Sequence, residues 1–376
     1  MTITSQDVVV IGGGLHGLSA ALHLARAGKR VAILERAWVG RHASGASAAG
    51  VRTLNRDLAE VPISLEAMEM WHRIEQIVGD DCGFHSHGQI RIAEFESHLP
   101  SLHQRFETMQ RLGYRHEEII DRSELLRLVP ALSRHCVGGL LARGDGAADP
   151  HRTLRAFKHA CLAATVEIHE GCGVTGIDRL GEDWLVHAGD RKFSAPNIVN
   201  AAGAWAATIA AMVGDDIQLG HKASMMIVTE RLQPLLDPVV SVVGRALSFK
   251  QAGQGTLVIG GGLQGWASVE TQKSTVDFVE LAKAAKAATD LFKDVKGVRI
   301  TRTWTGIEAM TRDALPVLGP SPHAPGVVHS FGYSGHGFQL VPVGGAIVCD
   351  LVLEGGTNRQ IAAFAPERLM RGRLAA

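Results

Sequence analysis

The first 35 residues carry the pattern that most constrains the fold of this chain. An apolar run at 8–11 is typical of a strand buried on both faces of a parallel sheet. The glycines Gly12, Gly14 and Gly17 follow it as GxGxxG and open a segment with helical spacing of apolar residues. A second apolar run then ends at Glu35. Strand, glycines, helix, strand and acid in this order predict a Rossmann-like βαβ unit.

Each part of this unit has a physical role in holding a dinucleotide. Gly12 makes the tight turn, Gly14 lets backbone amides approach a pyrophosphate, and Gly17 lets the helix pack on the strand. The helix N-terminus supplies positive potential for the pyrophosphate. Glu35 accepts hydrogen bonds from both ribose hydroxyls, and its charge repels a 2′-phosphate. The sequence therefore predicts a dinucleotide site without a 2′-phosphate.

A second GxGxxG lies at 259–265 and nearly repeats residues 11–17. Its surroundings differ, because two strand patterns joined by a glycine-containing turn precede it, and no helix is expected before about Thr275. We interpret it as the end of a hairpin. The alternative is a second nucleotide site, which would add NAD(P) to the first cofactor.

Composition and charge exclude several classes of protein. The chain has 376 residues with 38 basic and 38 acidic side chains, which leaves no electrostatic footprint for nucleic acid. Its five cysteines form no CxxC pair, so reduced thiols and a cytoplasmic location are expected, and no metal site is predicted. No apolar run reaches the roughly 20 residues of a membrane span, and the N-terminus shows no signal peptide.

Three further segments are rich in small residues and are candidates for contact with a ligand. The loop at 44–52, SGASAAGVR, is suited to wrapping closely around a ligand and ends in Arg52. A buried strand is predicted within 197–205, NIVNAAGAW. Near the C-terminus a glycine-rich turn containing His336 precedes an apolar helix, in which Pro342 suits an early position.

Taken in order, the motifs GGGLHG, ER, SGASAAGVR, NAAGAW and SGHGFQ resemble the D-amino-acid oxidase superfamily of FAD-dependent amine oxidoreductases. Within it, the sequence is most similar to the catalytic β subunits of heteromeric opine, hydroxyproline and sarcosine dehydrogenases. The resemblance implies an α/β fold with a Rossmann-like, glutathione-reductase-like FAD-binding domain and an α+β substrate domain with a mixed, mainly antiparallel sheet. The expected FAD domain combines 1–85, 145–215 and 306–376, and the expected substrate domain combines 86–144 and 216–305.

The resemblance also implies which residues contact FAD. The ADP half is expected at Gly12, Gly14, Leu15, Gly17, Glu35 and Arg36, with Val174 at the adenine. The ribityl chain or the flavin ring is expected at Ser44, Ala46, Ser47, Gly50 and Val51. The cofactor-facing strand contributes Ala201, Gly203 and Trp205, and the pyrimidine end meets Gly306, Gly335, His336, Gly337, Phe338 and Gln339.

The implied reaction transfers hydride from the carbon beside an amine to flavin N5, and water hydrolyses the resulting imine. A cation for the substrate carboxylate is needed, since a guanidinium binds it in a bidentate manner. Arg52 is the first candidate, followed by Arg245, Arg302 and Arg312. His336 is a candidate for positioning or catalysis.

Two departures from the family pattern matter. Where relatives often carry GLRP, this chain places Glu308 in the sequence GIEA. Either Glu308 is a solvated loop charge, or it receives a cationic part of the substrate. The lysine that monomeric sarcosine oxidases hold near the flavin has no match in the sequence, which favours a dehydrogenase over an oxidase.

The multisubunit resemblance implies partner subunits that carry further redox centres, such as an iron-sulfur cluster or a second flavin. An FMN at a subunit interface and peripheral attachment of the complex to the inner membrane both stay open. Two alternatives to the dehydrogenase also stay open: an oxygen-using flavin amine oxidase, and a non-catalytic subunit that only relays electrons.

Overall fold

The computed structural model describes residues 3–370, so residues 1–2 and 371–376 of the predicted FAD-domain segments lie outside the described residues. Within this range the chain forms twenty-two strands and nine α-helices. The strands are β1 (Ile3–Ser5), β2 (Val8–Ile11), β3 (Val31–Leu34), β4 (Gly50–Val51), β5 (Gln89–Ala93), β6 (Glu118–Asp121), β7 (Gly138–Ala142), β8 (Gly146–Ala147), β9 (Glu167–His169), β10 (Val174–Leu180), β11 (Asp183–Ala188), β12 (Arg191–Ala195), β13 (Asn197–Asn200), β14 (Gly220–Arg231), β15 (Val239–Val242), β16 (Arg245–Gln251), β17 (Thr256–Gly260), β18 (Trp266–Ser268), β19 (Lys273–Thr275), β20 (Ile300–Met310), β21 (Val317–Pro320) and β22 (Val327–Phe331).

The helices are α1 (Leu15–Arg26), α2 (Val61–Trp71), α3 (Ile74–Val78), α4 (Leu99–Arg111), α5 (Arg122–Leu128), α6 (Pro150–Ala163), α7 (Ala206–Met212), α8 (Phe278–Leu291) and α9 (Gly337–Glu354). Short 3-10 helices lie at Glu96–His98, Gly203–Trp205, Lys293–Val295, Ala362–Phe364 and Pro366–Leu369.

A six-stranded sheet contains the N-terminal nucleotide-binding pattern. Its strand order is β21-β22-β13-β2-β3-β9, and all neighbours are parallel except the edge pair β21 and β22. Every residue of β2 and β3 is buried, as the continuous apolar runs predict. Helix α1 covers one face of the sheet together with α6 and α9. A four-stranded sheet, β1-β12-β11-β10, packs against the other face.

An eight-stranded sheet forms the second layer of the molecule, in the order β20-β14-β17-β16-β15-β5-β7-β6. It is mixed, because β15 and β5 are parallel and the remaining neighbours are antiparallel. Helix α8 packs on this sheet through a core that includes the stacked rings of Phe249 and Phe292. The two kinds of sheet confirm the predicted fold class.

Strand β20 crosses the predicted domain boundary. The sequence placed residues from 306 onward in the FAD segments, but β20 runs without interruption from Ile300 to Met310 and pairs with β14 through Met310. Residues 306–310 therefore belong to the eight-stranded sheet. The pairing with the long strand β14 keeps β20 extended through Met310. This pairing joins distant parts of the chain, so the sequence around residue 306 does not reveal it.

The second glycine cluster confirms the hairpin interpretation. Strands β16 and β17 are antiparallel, and the glycines at 261–262 follow the end of β17. Helix α8 begins at Phe278, close to the predicted start near Thr275. The prediction for Pro342 was wrong, because α9 already begins at Gly337 and Pro342 lies inside it.

Helix α9 is the longest described helix, and its 18 residues are apolar and long enough to cross a membrane by length and composition alone. In this fold more than half of the helix is buried by protein. It packs on α1 so closely that a β-carbon at Gly345 would collide with Ser19. These contacts are those of a core helix.

Candidate active site

The first of two adjoining cavities lies at the carboxyl ends of β2 and β3, where α1 begins. Gly12 has a φ of +112°, and a β-carbon there would collide with the carbonyl of Ala201. Gly14 starts α1 without a side-chain cap, while Ser44 Oγ accepts from Leu15 N at 3.0 Å. Gly12, Gly14, Leu15 and His16 line the cavity at this helix start, a position that suits a pyrophosphate.

Glu35 lies on the wall of the first cavity, at the end of β3. Its two carboxylate oxygens each accept one backbone amide, from Gly13 and from Ala37, both at 2.8 Å. A carboxylate has about four lone-pair positions, so acceptor capacity remains for ribose hydroxyls. The two amides fix the orientation of the side chain before any ligand binds.

Two further features of the wall fit an FAD molecule. His42 Nε2 is buried with no hydrogen-bond partner among the described residues, and burial lowers the pKa of His42 to about 4. An unpaired buried ring nitrogen is costly unless a ligand supplies its partner. Arg36 lies over the ring of Trp205 at 5.0 Å, and both line the cavity. The residues present therefore fit the cofactor that the sequence predicts.

Most residues predicted to contact FAD line one of the two cavities. Those on the first cavity are Gly12, Gly14, Leu15, Glu35, Arg36, Ser44, Ser47, Val174, Ala201, Gly203, Trp205, Gly335, Gly337 and Phe338. Those found only on the second cavity are Ala46, Gly50, Gly306 and His336.

Three of the predicted cofactor contacts, Gly17, Val51 and Gln339, line neither cavity. Gly17 packs against the carbonyl of Gly12, so its role is the close packing of α1. Val51 is fully buried in the core beneath the loop. Gln339 is fully buried, and its amide bonds with Ser64 and Arg56 behind the site. These positions belong to sequence motifs because their side chains or backbone support the site. A motif alone does not distinguish a supporting residue from one that contacts the ligand.

The second cavity, of about 380 Å³, lies between the loop 43–50 and one face of the eight-stranded sheet. Alternate residues of four strands line it, as expected for side chains that share one face of a sheet. They are Gln89 and Arg91 on β5, Val239 and Ser241 on β15, Lys222, Ser224 and Met226 on β14, and Gly306 and Glu308 on β20. The two cavities share Ala43, Ser47, Glu308, Gly335 and Phe338 as lining residues.

Arg52 lines the second cavity, as the sequence predicts for a substrate-binding cation. Its Nη1 donates to the carbonyl of Leu54 at 2.5 Å and of Asn55 at 3.4 Å, which leaves its other N–H groups available. Burial lowers the pKa of Arg52. Asp145 holds the same loop by accepting from Thr53 N and Leu54 N at 2.8 and 2.9 Å.

His336 also lines the second cavity, with its side chain 24% exposed. Behind it lies Glu60, whose carboxylate is fully buried and whose Oε2 is 3.4 Å from His336 Nδ1 and 3.7 Å from Arg56 Nη1. Burial lowers the pKa of His336, so the imidazole is neutral at pH 7. Burial opposes ionisation of Glu60, but His336 and Arg56 together hold its pKa below the usual value.

Glu308 is not a solvated loop charge, because it lies on β20 where the two cavities meet. Its Oε2 is 3.5 Å from Lys222 Nζ and accepts from Ser224 Oγ at 3.2 Å. A β-carbon at Gly335 would lie 3.1 Å from Lys222 Nζ. A lysine therefore does stand at the junction of the two cavities, although no sequence motif indicates it.

The other three predicted cations lie outside the second cavity. Arg245 pairs with Glu94 and Asp290, Arg302 is exposed at the start of β20, and Arg312 is exposed and donates to the carbonyl of Arg368.

Sequence reasoning missed Arg91, Glu60 and Lys222 at the site. The alternation of β5, in which Ile90 and Ile92 are buried on the opposite face, is the signal that could have indicated Arg91.

A parallel nucleotide-binding sheet, a cavity fitted to FAD and a mixed sheet over it define the class of FAD-dependent oxidoreductases. The chain belongs to the DAO family, described as FAD dependent oxidoreductase, whose family model matches residues 7–351.

Relatives with known names cover nearly the whole chain. The β subunit of sarcosine oxidase from Rhizobium meliloti (strain 1021) is 26% identical over 97% of this chain and 89% of its own length. Glycine oxidase from Geobacillus kaustophilus (strain HTA426) is 25% identical over 96% of this chain and 97% of its own length. The crystal structure of L-proline dehydrogenase from P. horikoshii superposes with a TM-score of 0.90 at 23% identity, covering 98% of both chains, and shows the same fold.

Proposed function

We propose that this FAD-dependent oxidoreductase acts on CH–NH donors and oxidises the C–N bond of a secondary or D-amino acid of the opine, hydroxyproline, proline or sarcosine type. The observation that carries the proposal is the meeting of the two cavities at Glu308 and Gly335. A substrate held by the cations of the second cavity adjoins the first cavity at this junction, so we place the reacting carbon there.

When bound, FAD supplies a hydride acceptor at its N5 atom, and the protein supplies binding and orientation. Arg52 is placed to hold the substrate carboxylate through the guanidinium N–H groups that its loop does not use. Burial of Arg52 strengthens this contact, because water competes less for the carboxylate. The residues that we assign to FAD are those of the first cavity given above.

His336 is the residue we assign to accept the proton of the substrate ammonium group. An amine must carry its lone pair before the neighbouring carbon can release hydride, and amines are largely protonated at neutral pH. A neutral imidazole in the cavity wall can take this proton. Glu60 then faces the imidazolium that forms, and it acts as a positioning residue since it does not reach the cavity.

Glu308 is assigned to a cationic part of the substrate, such as the guanidinium of an arginine-derived opine. Lys222 is its present partner at 3.5 Å, which is long for a direct hydrogen bond. One carboxylate can accept from Lys222 and from a ligand at the same time.

We further propose that the chain is the catalytic subunit of a multisubunit dehydrogenase. The 26% identity to a protein named as one subunit of sarcosine oxidase supports this assignment. Partner subunits then carry the electrons onward through an iron-sulfur centre or an FMN at the interface. A cytoplasmic location, with attachment to the inner membrane through the complex, belongs to the same proposal.

An amine oxidase that uses oxygen directly is the second candidate, and Lys222 is the observation that favours it. The absence of a lysine in the sequence motifs had favoured a dehydrogenase, but the fold brings Lys222 Nζ to the junction beside Gly335. A cation there would stabilise negative charge on reduced oxygen. If the chain is an oxidase, Lys222→Met slows reoxidation by air strongly without slowing reduction by substrate to the same degree.

One experiment tests these assignments together. The purified protein is analysed for its flavins and then mixed anaerobically with opines, D- and L-proline derivatives, sarcosine and D-amino acids. Bleaching of the flavin by one of these amines is the expected result, and reoxidation by dye but not by air identifies a dehydrogenase. A flavin that none of these amines bleaches overturns the proposal and leaves a subunit that only relays electrons.

A further inference from the structure

Arg91 places a cation on the wall of the second cavity. Its side chain lines the second cavity and is half-buried, and within residues 3–370 its guanidinium makes no hydrogen bond or ion pair. A guanidinium carries five N–H donors, and a partly buried charge is normally paired. By contrast, Arg52 and Arg56 on the same side of the cavity both donate to protein acceptors.

Polar side chains continue from Arg91 across the sheet. Ser241 is the register partner of Arg91 on β15, and Ser248 is the partner of Ser241 on β16. Both serines line the second cavity. Ser241 Oγ makes one long bond, 3.4 Å to the carbonyl of Ile90, so the hydroxyl can turn toward a better partner.

Gln89 gives a second, independent sign that a ligand is missing from this place. It lies two residues before Arg91 on the same face of β5, lines the cavity and is only 6% exposed. Its Oε1 is buried with no hydrogen-bond partner among the described residues. Buried polar atoms are nearly always paired, so the end of the cavity around Arg91 is built for a polar group.

The charges around Arg91 in the second cavity favour a negatively charged ligand. Arg52 and Arg91 both line the second cavity, so its wall carries two guanidinium charges. The acidic residues near Arg52 are already in use: Asp145 holds the loop of Arg52, and Glu60 faces His336 and Arg56. A carboxylate bound at Arg91 would balance the charge of this guanidinium, which makes no ion pair within the described residues.

Arg91 lines only the second cavity and does not lie at the junction, where we place the reacting carbon. Arg91 lies on β5 and Glu308 on β20, and four strands separate them in the sheet. Arg52 already offers a guanidinium to the carboxylate that lies next to the oxidised carbon. A group bound at Arg91 is therefore a distal part of the substrate.

We propose that Arg91, Ser241, Ser248 and Gln89 form a subsite for a second carboxylate, so that the substrate is a secondary amine carrying two carboxylates. This inference rests on the proposed function and specifies its substrate class. Arg52 holds the carboxylate beside the oxidised carbon, and Arg91 holds the distal one. A cavity of about 380 Å³ has room for such a molecule.

The test compares two amines of equal length: N-(3-carboxypropyl)glycine, which has a second carboxylate, and N-butylglycine, which has none. Arg91→Met is expected to lower kcat/KM for the dicarboxylate, relative to the monocarboxylate, by about tenfold to hundredfold, the size of a lost charge-assisted hydrogen bond. The matched control is Arg302→Met, an exposed arginine of the same sheet that lines neither cavity. The control should not change the ratio.

A binding measurement keeps the subsite testable even if no amine is oxidised. Adipate and hexanoate are titrated into the flavin-loaded wild type and Arg91→Met while the flavin absorption spectrum and the Tm are followed. Tighter binding of adipate to the wild type, lost in the variant, supports the subsite. Equal binding of the two acids, or equal losses for both amines, overturns it. Failure of all amines to bleach the flavin, with selective adipate binding intact, overturns the proposed function alone.

Discussion

The carboxylate of Glu60 lies 3.4 Å from Nδ1 of His336, on the side of the imidazole that faces away from the substrate cavity. Glu60 is fully buried, whereas the His336 side chain is 24% exposed to the cavity. The two residues are far apart in the sequence, on the approach to α2 and at the start of α9. A buried negative charge thus stands behind the imidazole that we assign as proton acceptor.

The variant Glu60→Gln should change the pH dependence of flavin reduction. Removing the carboxylate removes the charge that stabilises the imidazolium, so the pKa of His336 falls further below its usual value. We expect the acidic limb of the reduction rate to move to lower pH and the maximal rate to fall. Anaerobic stopped-flow across about pH 5 to 9 measures both quantities. Glu69→Gln, an exposed acid on α2, is the control, and an unshifted acidic limb in Glu60→Gln would reject the assignment.

The variant Glu308→Gln should raise KM selectively for cationic substrates. The carboxylate lies at the junction of the two cavities, where Lys222 balances only part of its charge. Losing it should weaken binding of a guanidinium-bearing amine by about tenfold. Steady-state kinetics with an arginine-derived opine and with a neutral amine of similar size provide the comparison. Equal increases in KM for the two substrates would contradict the assignment of Glu308 to a cationic part of the substrate.

The variant Glu35→Gln should weaken FAD binding. Both carboxylate oxygens accept backbone amides, from Gly13 and Ala37, and an amide side chain can satisfy only one of these donors. The ribose also loses a charged acceptor, so the Kd for FAD should rise about tenfold or more. Fluorescence titration of the apoprotein measures this Kd. Glu167→Gln, an exposed acid on β9, controls for charge, and an unchanged Kd in Glu35→Gln would contradict the role.

Lys250 should make stability depend on pH in the alkaline range. It is buried, with Nζ bonded to the carbonyl of Ala148, and burial lowers its pKa to about 8 from 10.5. Between these two pH values the unfolded chain binds a proton that the folded chain does not, so the free energy of unfolding rises with pH. Below pH 8 both states are protonated, and the cost of burying the charge persists.

Lys250→Met removes this titration. Its free energy of unfolding, relative to the wild type, should fall by an amount on the order of 3 kcal/mol from pH 8 to 10.5. Urea denaturation at a series of pH values gives the difference, in which the titration of other groups cancels. Lys283→Met, at an exposed position, should show no such trend. A pH-independent difference for Lys250→Met would show that Lys250 is charged in the fold.

The nucleotide-binding half of the site could be predicted from the local sequence. Gly12, Gly14, Leu15, Glu35 and Arg36 were predicted at the ADP half of FAD, and all five line the first cavity. Their geometry depends on a strand, a turn and a helix that are consecutive in the chain. A pattern in the local sequence is therefore enough to predict this part of the structure. The hairpin at the second glycine cluster was readable for the same reason.

The substrate half was less readable, because its residues come from separate strands. The loop pattern predicted Arg52, which lines the second cavity, whereas the predicted Arg245, Arg302 and Arg312 do not line it. Lys222 reaches the junction because β14 pairs with β20, which places it opposite Glu308. Nothing in the local sequence at 222 specifies that partner.

The sequence by itself determined the FAD-binding unit, because its strand, turn and helix are consecutive in the chain. The family and the two kinds of sheet followed from the resemblance that the order of motifs along the whole chain carries. Only the tertiary structure decided which charges share the substrate cavity: Arg91 and Glu308 on one sheet, and His336 with Glu60 behind it. Strand register and helix packing bring these residues together, and both are set by contacts between distant parts of the chain.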